Sequence, residues 1–215
     1  MDINLSKQFP IYLDYISRYE KVLRQRNEIL KSQNVDEKLL ETTTELLVKY
    51  AGPIINYRAM FVKDINDILI KITRTLTGVK EKIAITYRPF VNMSGDYQKD
   101  ALAAFNRSLE NDLRHKATSI GVHREDISVS LNGKDIGVYG SQGENRLVAL
   151  ALKLSPYFMI TDKDKKPVVV LDDVMSELDK NHKEHLINFL RKFEQVFITD
   201  TKLEIDGATH IELSK

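Results

Sequence analysis

The sequence predicts an α/β fold in which a long helical N-terminal stretch leads into a layered, mainly parallel sheet. Three observations predict it. Apolar residues recur at three- and four-residue spacing through the first third of the chain. After Gly140 the pattern turns into helix–strand–helix–strand, the order of a layered α/β unit. Within that second part lies a short, wholly apolar run, Val168 to Leu171, which ends on two aspartates.

The first helix enters through Pro10 and runs from about Ile11 to Lys31. Ile11, Tyr15, Ile16, Tyr19, Val22, Leu23, Arg26 and Leu30 share its repeating face. Ser32-Gln33-Asn34 reads as a turn, and Asp36 can cap the next helix, which carries Leu39, Leu40, Leu46, Leu47 and Tyr50. Gly52-Pro53 should kink or break that helix, because proline lacks the N–H and crowds the preceding turn. The pattern resumes at Ile54 and continues through Ile72, ending near Gly78.

Lys82 to Tyr87 alternates and predicts a strand, and Asp100 to Lys116 a charged helix. Ile127 to Leu131 alternates again, before an Asn132-Gly133 turn. An apolar helix, Leu147 to Leu154, is followed by a polar loop from Asp162 to Lys166, a strand at Val168 to Leu171 and a helix from about Lys180 to Phe193. Two strands close the chain, Val196 to Thr199 and Thr209 to Leu213. The expected division is a helical arm over residues 1–117, with a short strand near 82–87, and an α/β part over residues 118–215.

Composition narrows the function classes. The chain has 215 residues, 42% hydrophobic and 29% charged, as expected of a globular protein. Its 32 basic and 31 acidic residues leave a formal charge of +1, so any nucleic-acid contact must come from a local patch. With no cysteine, disulfides, thiolate catalysis and Cys-based zinc sites are excluded. The first residues carry no basic segment followed by an apolar one, and no apolar run approaches the roughly 20 residues that span a bilayer. The expectation is a cytoplasmic protein with no membrane partner.

Two motifs carry chemistry. The first is Val168-Val169-Val170-Leu171-Asp172-Asp173-Val174-Met175-Ser176-Glu177-Leu178-Asp179. Four apolar residues in a row suit a parallel strand buried on both faces. Its acidic end lies where open α/β sheets bind ligands. One carboxylate can hold Mg²⁺, which prefers oxygen donors, and the other can orient or deprotonate a water. The same pattern also describes a solvated strand end followed by a helix capped at Ser176 or Asp179. The second motif is Gly140-Ser141-Gln142-Gly143-Glu144-Asn145-Arg146, at a helix start that can face an anion. Ser141 with Glu144 three residues on is equally a capping box, which needs no ligand.

Taken together, a Ser-Gln-Gly helix start and, some thirty residues on, an apolar strand ending Leu-Asp-Asp-Val-x-Ser-Glu-Leu-Asp resemble the signature loop, Walker B strand and D-loop of an ABC-class ATPase. The form of both is similar to the RecF family; transporter ATPases and SMC heads usually place glutamate where this chain has Asp173. Tyr19, Leu23, Gln25, Arg26 and Asn27 resemble that family's Tyr…Leu-x-Gln-Arg-Asn stretch. Gly121, His123, Arg124 and Asp126 resemble its Gly-Pro-His-Arg-Asp-Asp segment, and Phe197-Ile198-Thr199-Asp200-Thr201 its threonine-rich strand end. The resemblance implies the C-terminal half of an ABC-type ATPase lobe with an α-helical arm domain.

The chain departs from the family at several points. None of its nine glycines begins a G-x-x-x-x-G-K-[ST] run, so there is no Walker A loop, and the chain is expected to start downstream of one. An uncovered edge or face of the sheet, open to association, is expected to follow. Val122 stands in place of proline, Glu125 of aspartate and Glu144 of glutamine. Pro156 should end the signature helix within about a turn of Leu154.

The resemblance implies ATP and Mg²⁺ as cofactors, with ATP held between two protomers. Asp172 would organise the metal and Asp173 would polarise the attacking water. Ser141, Gln142 and Gly143 would touch nucleotide held by a partner, and Ser176 to Asp179 would lie across the seam. The partners implied are DNA, a second protomer or a separate Walker A half, and RecR and RecO at gapped or stalled DNA, within recombinational repair and the SOS response. Candidate phosphate contacts are Arg18, Lys21, Arg24 and Lys31 on the first helix and Arg107, Arg114, His115 and Lys116 on a later one, with His123-Arg124 beside the signature. Each is also compatible with a solvated helix face. The competing readings are a non-enzymatic helical interaction module with a vestigial ATPase half, and an SMC-like head, which lacks support from any long heptad arm.

Overall fold

The structure, a computed structural model, describes residues 1–77, 83–140, 142–160, 162, 164, 166–176, 178–200 and 205–212. The chain divides into two compact units, one of Met1–Lys63 with Ile85–Ser128 and the other of Asp64–Ala84 with Val129–Lys215. No helix among the described residues is long and apolar enough to cross a membrane.

In the first unit, a short helix α1 (Asp2–Gln8) precedes α2 (Pro10–Lys31), whose first position is taken by proline, where the missing N–H costs nothing. Asp36 caps α3 (Glu37–Thr77), which belongs to this unit as far as Lys63, as expected, its side chain accepting the Leu39 N–H at 2.9 Å. Pro53 neither ends nor divides this helix, contrary to expectation. Packing outweighs its local cost. Ala51, Ile54 and Ile55 around it are fully buried, and the Tyr97 ring lies against Gly52, where an added Cβ would come within 2.9 Å of it. The Tyr97 hydroxyl donates to the Val48 carbonyl at 2.9 Å, one turn back along the same helix.

The remaining helix of this unit is α4 (Tyr97–His115), capped by Asp96 and closed by Lys116 in a left-handed conformation. Two buried arginines organise the unit. Arg26 reaches Thr44, Asp112 and Thr118 at 2.7–2.9 Å. Arg58 reaches Asp2, the Val122 carbonyl and Glu125 at 2.6–3.1 Å.

A three-stranded sheet has the order β1 (Ile83–Arg88), β2 (Asp126–Leu131), β3 (Lys134–Asp135). The β2–β3 hairpin turns on Asn132 and Gly133, both with positive φ, as the Asn-Gly dipeptide predicts. Of the first predicted strand, Lys82 lies outside the described residues.

In the second unit, α5 (Ile136–Tyr139) leads into α6 (Gln142–Met159), which continues three residues past Pro156. Tyr157 and Phe158 of α6 form an aromatic cluster with Phe189 and Phe193, with centroids 4.4–5.8 Å apart. Here β4 (Val169–Asp172) pairs in parallel with β5 (Val196–Thr199), and α7 (Lys180–Leu190) connects them. The helix ends three residues short of the predicted Phe193.

Two expectations fail in this unit. β4 is not buried on both faces: Val169 and Leu171 are buried, but Val170 is 66% exposed, and its register partner Phe197 is 49% exposed. In the two-stranded sheet only one face is covered, so burial alternates along the strand. The last predicted strand is absent over the described residues 209–212; Leu213 lies outside them. Ile211 there is 74% exposed, so its side chain meets no sheet.

Candidate functional site

The register of the small parallel sheet places the acidic pair. Val169 lies opposite Val196, Val170 opposite Phe197, Leu171 opposite Ile198, and Asp172 opposite Thr199. Asp172 is therefore the last paired residue of β4, at the carboxyl end of a parallel strand, where side chains face a crevice rather than the core. Both Asp172 and Asp173 are exposed.

Asp173 adopts φ +47, a left-handed conformation that costs a non-glycine residue roughly 1 kcal/mol or more. Hydrogen bonds hold it there. Its N–H is shared between the Thr199 carbonyl at 3.2 Å and the Thr199 hydroxyl oxygen at 3.1 Å, while its own carbonyl accepts from Ser176 Oγ at 3.2 Å. The Thr199 hydroxyl in turn donates to Asp172 Oδ1 in a short contact.

The segment after the strand is pinned by its apolar residues. Met175 and Leu178 are buried, and the Leu178 N–H reaches the Met175 carbonyl at 3.1 Å. Asp179 caps α7: one carboxylate oxygen accepts the His182 N–H at 3.0 Å and the other meets His182 Nδ1. Those hydrogen bonds, from the His182 backbone first and its ring second, hold the Asp179 carboxyl below the usual range. Glu177 lies outside the described residues.

The glycine-bearing motif opens α6. Asp135 caps the preceding turn through the Gly137 N–H at 2.9 Å, and Asn145 Nδ2 donates to the Gly140 carbonyl at 3.2 Å. An added Cβ at Gly140 would stand 2.6 Å from Ile136, so glycine is required for this close turn. Gln142 and Gly143 occupy the exposed first turn, and nothing lies within 4 Å of the place a Gly143 side chain would take. Ser141 lies outside the described residues, as does the side chain of Glu144, so the capping box predicted for them does too. A groove of about 580 Å³ runs beside β4, lined by Arg146, Leu150, Leu154 and Tyr157 of α6 and by Pro167 to Asp172. Asp172 and Arg146, in the second turn of α6, thus border one groove.

Among the described residues no group of three or more His, Asp or Glu side chains could hold a metal by itself. That suits Mg²⁺ in a nucleotide site, where one or two carboxylates suffice and phosphates and waters complete the octahedron. The Thr199 hydroxyl orients the Asp172 carboxylate, which keeps lone pairs for a cation.

The other predicted contacts fall in the first unit. Arg18, Arg24 and Lys31 pair with Asp14, Glu20 and Glu28 on their own helix at 2.8–4.0 Å, which lowers their positive field without burying them. Arg114 bonds Asn111, and Lys21, Arg107 and Lys116 are exposed. His123 is engaged at both ring nitrogens, Nδ1 with the Tyr19 hydroxyl at 2.9 Å and Nε2 with the Thr118 carbonyl at 3.1 Å, and burial lowers its pKa. The structure uses this histidine as a neutral strut, with Arg124 exposed beside it.

Thr199 was not among the predicted site residues. Its signal in the sequence was a hydroxyl at the end of the strand that follows the acidic one.

No family model matches the sequence. Among curated proteins, the chain is 34% identical to the DNA replication and repair protein RecF of Lactobacillus delbrueckii subsp. bulgaricus, covering 95% of this chain and 56% of that protein. It is 39% identical to the RecF of Lachnospira eligens, again covering 95% and 56%. Among solved structures it matches the recombination mediator protein RecF-ATP of the RecFOR pathway with a TM-score of 0.81 and 31% identity, over 95% of this chain and 57% of that one. The RecF-ATPrS structure of the same pathway matches with a TM-score of 0.81 and 32% identity. The chain spans little more than half the length of these relatives, and the match falls in their C-terminal part.

Proposed function

Since this chain belongs to the RecF family, as a mixed α/β and mostly helical counterpart of its C-terminal portion, we propose that it supplies the acidic and signature elements of an ATP-dependent DNA-repair ATPase. The observation that carries this reading is the exposed Asp172-Asp173 pair at the carboxyl end of a parallel strand, with Asp172 bordering the same groove as Arg146 in the second turn of α6.

In this reading Asp172 is the protein's oxygen donor to Mg²⁺, and Asp173 orients the water that attacks the γ-phosphate. Bound Mg²⁺·ATP supplies the electrophilic phosphorus and the charge neutralisation that phosphoryl transfer needs. Ser141, together with Gln142 and Gly143 of the first turn of α6, contacts nucleotide held by a second protomer. Gly143 suits that role because its open surroundings let a phosphate approach the backbone. Asp179 works at the seam by fixing the start of α7, and Ser176 by fixing the Asp173 carbonyl.

The lysine and backbone cradle of a Walker A loop are absent from this sequence, so nucleotide must be held largely by another polypeptide segment. DNA contacts fall to the exposed cations Lys21, Arg107, Lys116 and Arg124, with RecR and RecO as partners in the repair of gaps and stalled forks.

The test is a hydrolysis assay on two preparations, the 215-residue chain alone and the chain mixed with a Walker A-bearing N-terminal segment of a RecF relative. The chain alone should show no turnover above background, and the mixture should show turnover that Asp173→Asn abolishes. Clear Asp173-dependent turnover by the chain alone would refute the need for a second segment. If the mixture neither associates nor hydrolyses in the presence of ATP, the helical interaction-module reading takes over.

A further inference from the structure

One hydroxyl ties both acidic residues to the neighbouring strand, Asp172 through its carboxylate and Asp173 through its backbone N–H. A threonine hydroxyl has a single hydrogen to give and two lone pairs to offer. At Thr199 the hydrogen goes to Asp172 Oδ1, and a lone pair takes the Asp173 N–H at 3.1 Å. The Thr199 carbonyl takes a share of the same N–H at 3.2 Å. These contacts cross between register partners, Asp172 and Thr199, at the last paired position of the two strands.

Two consequences follow from that arrangement. Oδ1 of Asp172 is tied to the neighbouring strand, which fixes the orientation of its carboxylate beside the groove that Asp172 lines. Asp173 is retained at φ +47, so its side chain departs from the strand in a direction that extended backbone would not give it.

We infer that Thr199 is the positioning residue for both acids, setting which oxygen of Asp172 is presented to a divalent cation and where the Asp173 carboxylate points. This inference rests on the reading of Asp172 as a metal donor. Residues that orient metal-ligating carboxylates typically change metal affinity 10–100-fold when lost.

The test uses the intact chain and Mn²⁺ alone, followed by NMR. Two readouts are taken: hydrogen exchange of the Asp173 amide without metal, and paramagnetic broadening around residue 172 during a Mn²⁺ titration. T199V keeps the side-chain shape but removes the hydroxyl, and T199S restores it. The expected result for T199V is Asp173 exchange at least about tenfold faster and apparent Mn²⁺ affinity about tenfold weaker. T199S should match the wild type in both, and exchange at Val196 to Ile198 should be unchanged in either variant. If T199V leaves both Mn²⁺ affinity and Asp173 exchange at wild-type values, the role of Thr199 is overturned while the metal site stands. If Mn²⁺ broadens nothing near residue 172 in the wild type, the metal-donor reading fails, and the positioning role fails with it.

Discussion

Arg26 and Asp112, 86 positions apart in the chain, form an ion pair at 2.8 Å with side chains 1% and 0% exposed. Each has further partners: Arg26 bonds Thr44 and Thr118 and lies over the Phe105 ring, and Asp112 accepts from the Ser119 backbone and hydroxyl. A buried pair of this kind is costly to assemble, but far more costly to leave half-built. Arg26→Met should therefore destabilise the chain by roughly 3–5 kcal/mol, read from urea unfolding, because Asp112 is left buried without its counter-ion. The double replacement Arg26→Met with Asp112→Leu should recover much of that loss. If the single change costs under about 1 kcal/mol, the pair is not the organising contact that its burial suggests.

Acid should weaken the first unit in two steps. Burial alone would raise the Asp2 carboxyl, but hydrogen bonds from Arg58 and Tyr12 and the Arg58 charge hold it below its ordinary value. A depressed carboxylate contributes stability that is present above the unfolded pKa of about 3.9 and lost as pH falls through the folded value. Burial also lowers the His123 pKa, so the folded state prefers the neutral ring. Its contribution is present above about pH 6.5 and fades as pH falls through the lowered folded value. Urea midpoints measured from pH 8 to pH 3 should decline in both windows. Asp2→Asn should remove the lower decline and leave the upper one; an unaltered profile below pH 4 would show that Asp2 is not coupled to Arg58.

Gly133 isolates a backbone effect. It has φ +80 in the β2–β3 turn, and nothing lies within 4 Å of where its Cβ would be. Gly133→Ala should then cost about 1 kcal/mol in unfolding free energy through conformational strain alone. Gly133→Asn should cost less, because asparagine tolerates the left-handed region. Equal losses for both would point to a steric clash that the open surroundings do not contain.

The sequence by itself determined what depends on neighbours along the chain. Spacing of apolar residues located α2, β2 and β5 to within a residue or two, and Asp36 and Asn132-Gly133 marked a cap and a hairpin because their geometry is local. It also set Asp172 and Asp173 at the end of an apolar strand. It placed Arg26 on the repeating face of the first helix without indicating a partner for it. Only the tertiary structure chose Asp112 for it, carried α3 through Pro53 with the Tyr97 ring against Gly52, and left Val170 exposed beside Phe197. The same holds for Thr199, which meets Asp172 through strand register and not through spacing. The physical reason is one of range. Backbone preference and face are written within a turn or a pleat, whereas the partner across a sheet or a core is decided by which surfaces are packed together when the chain closes on itself.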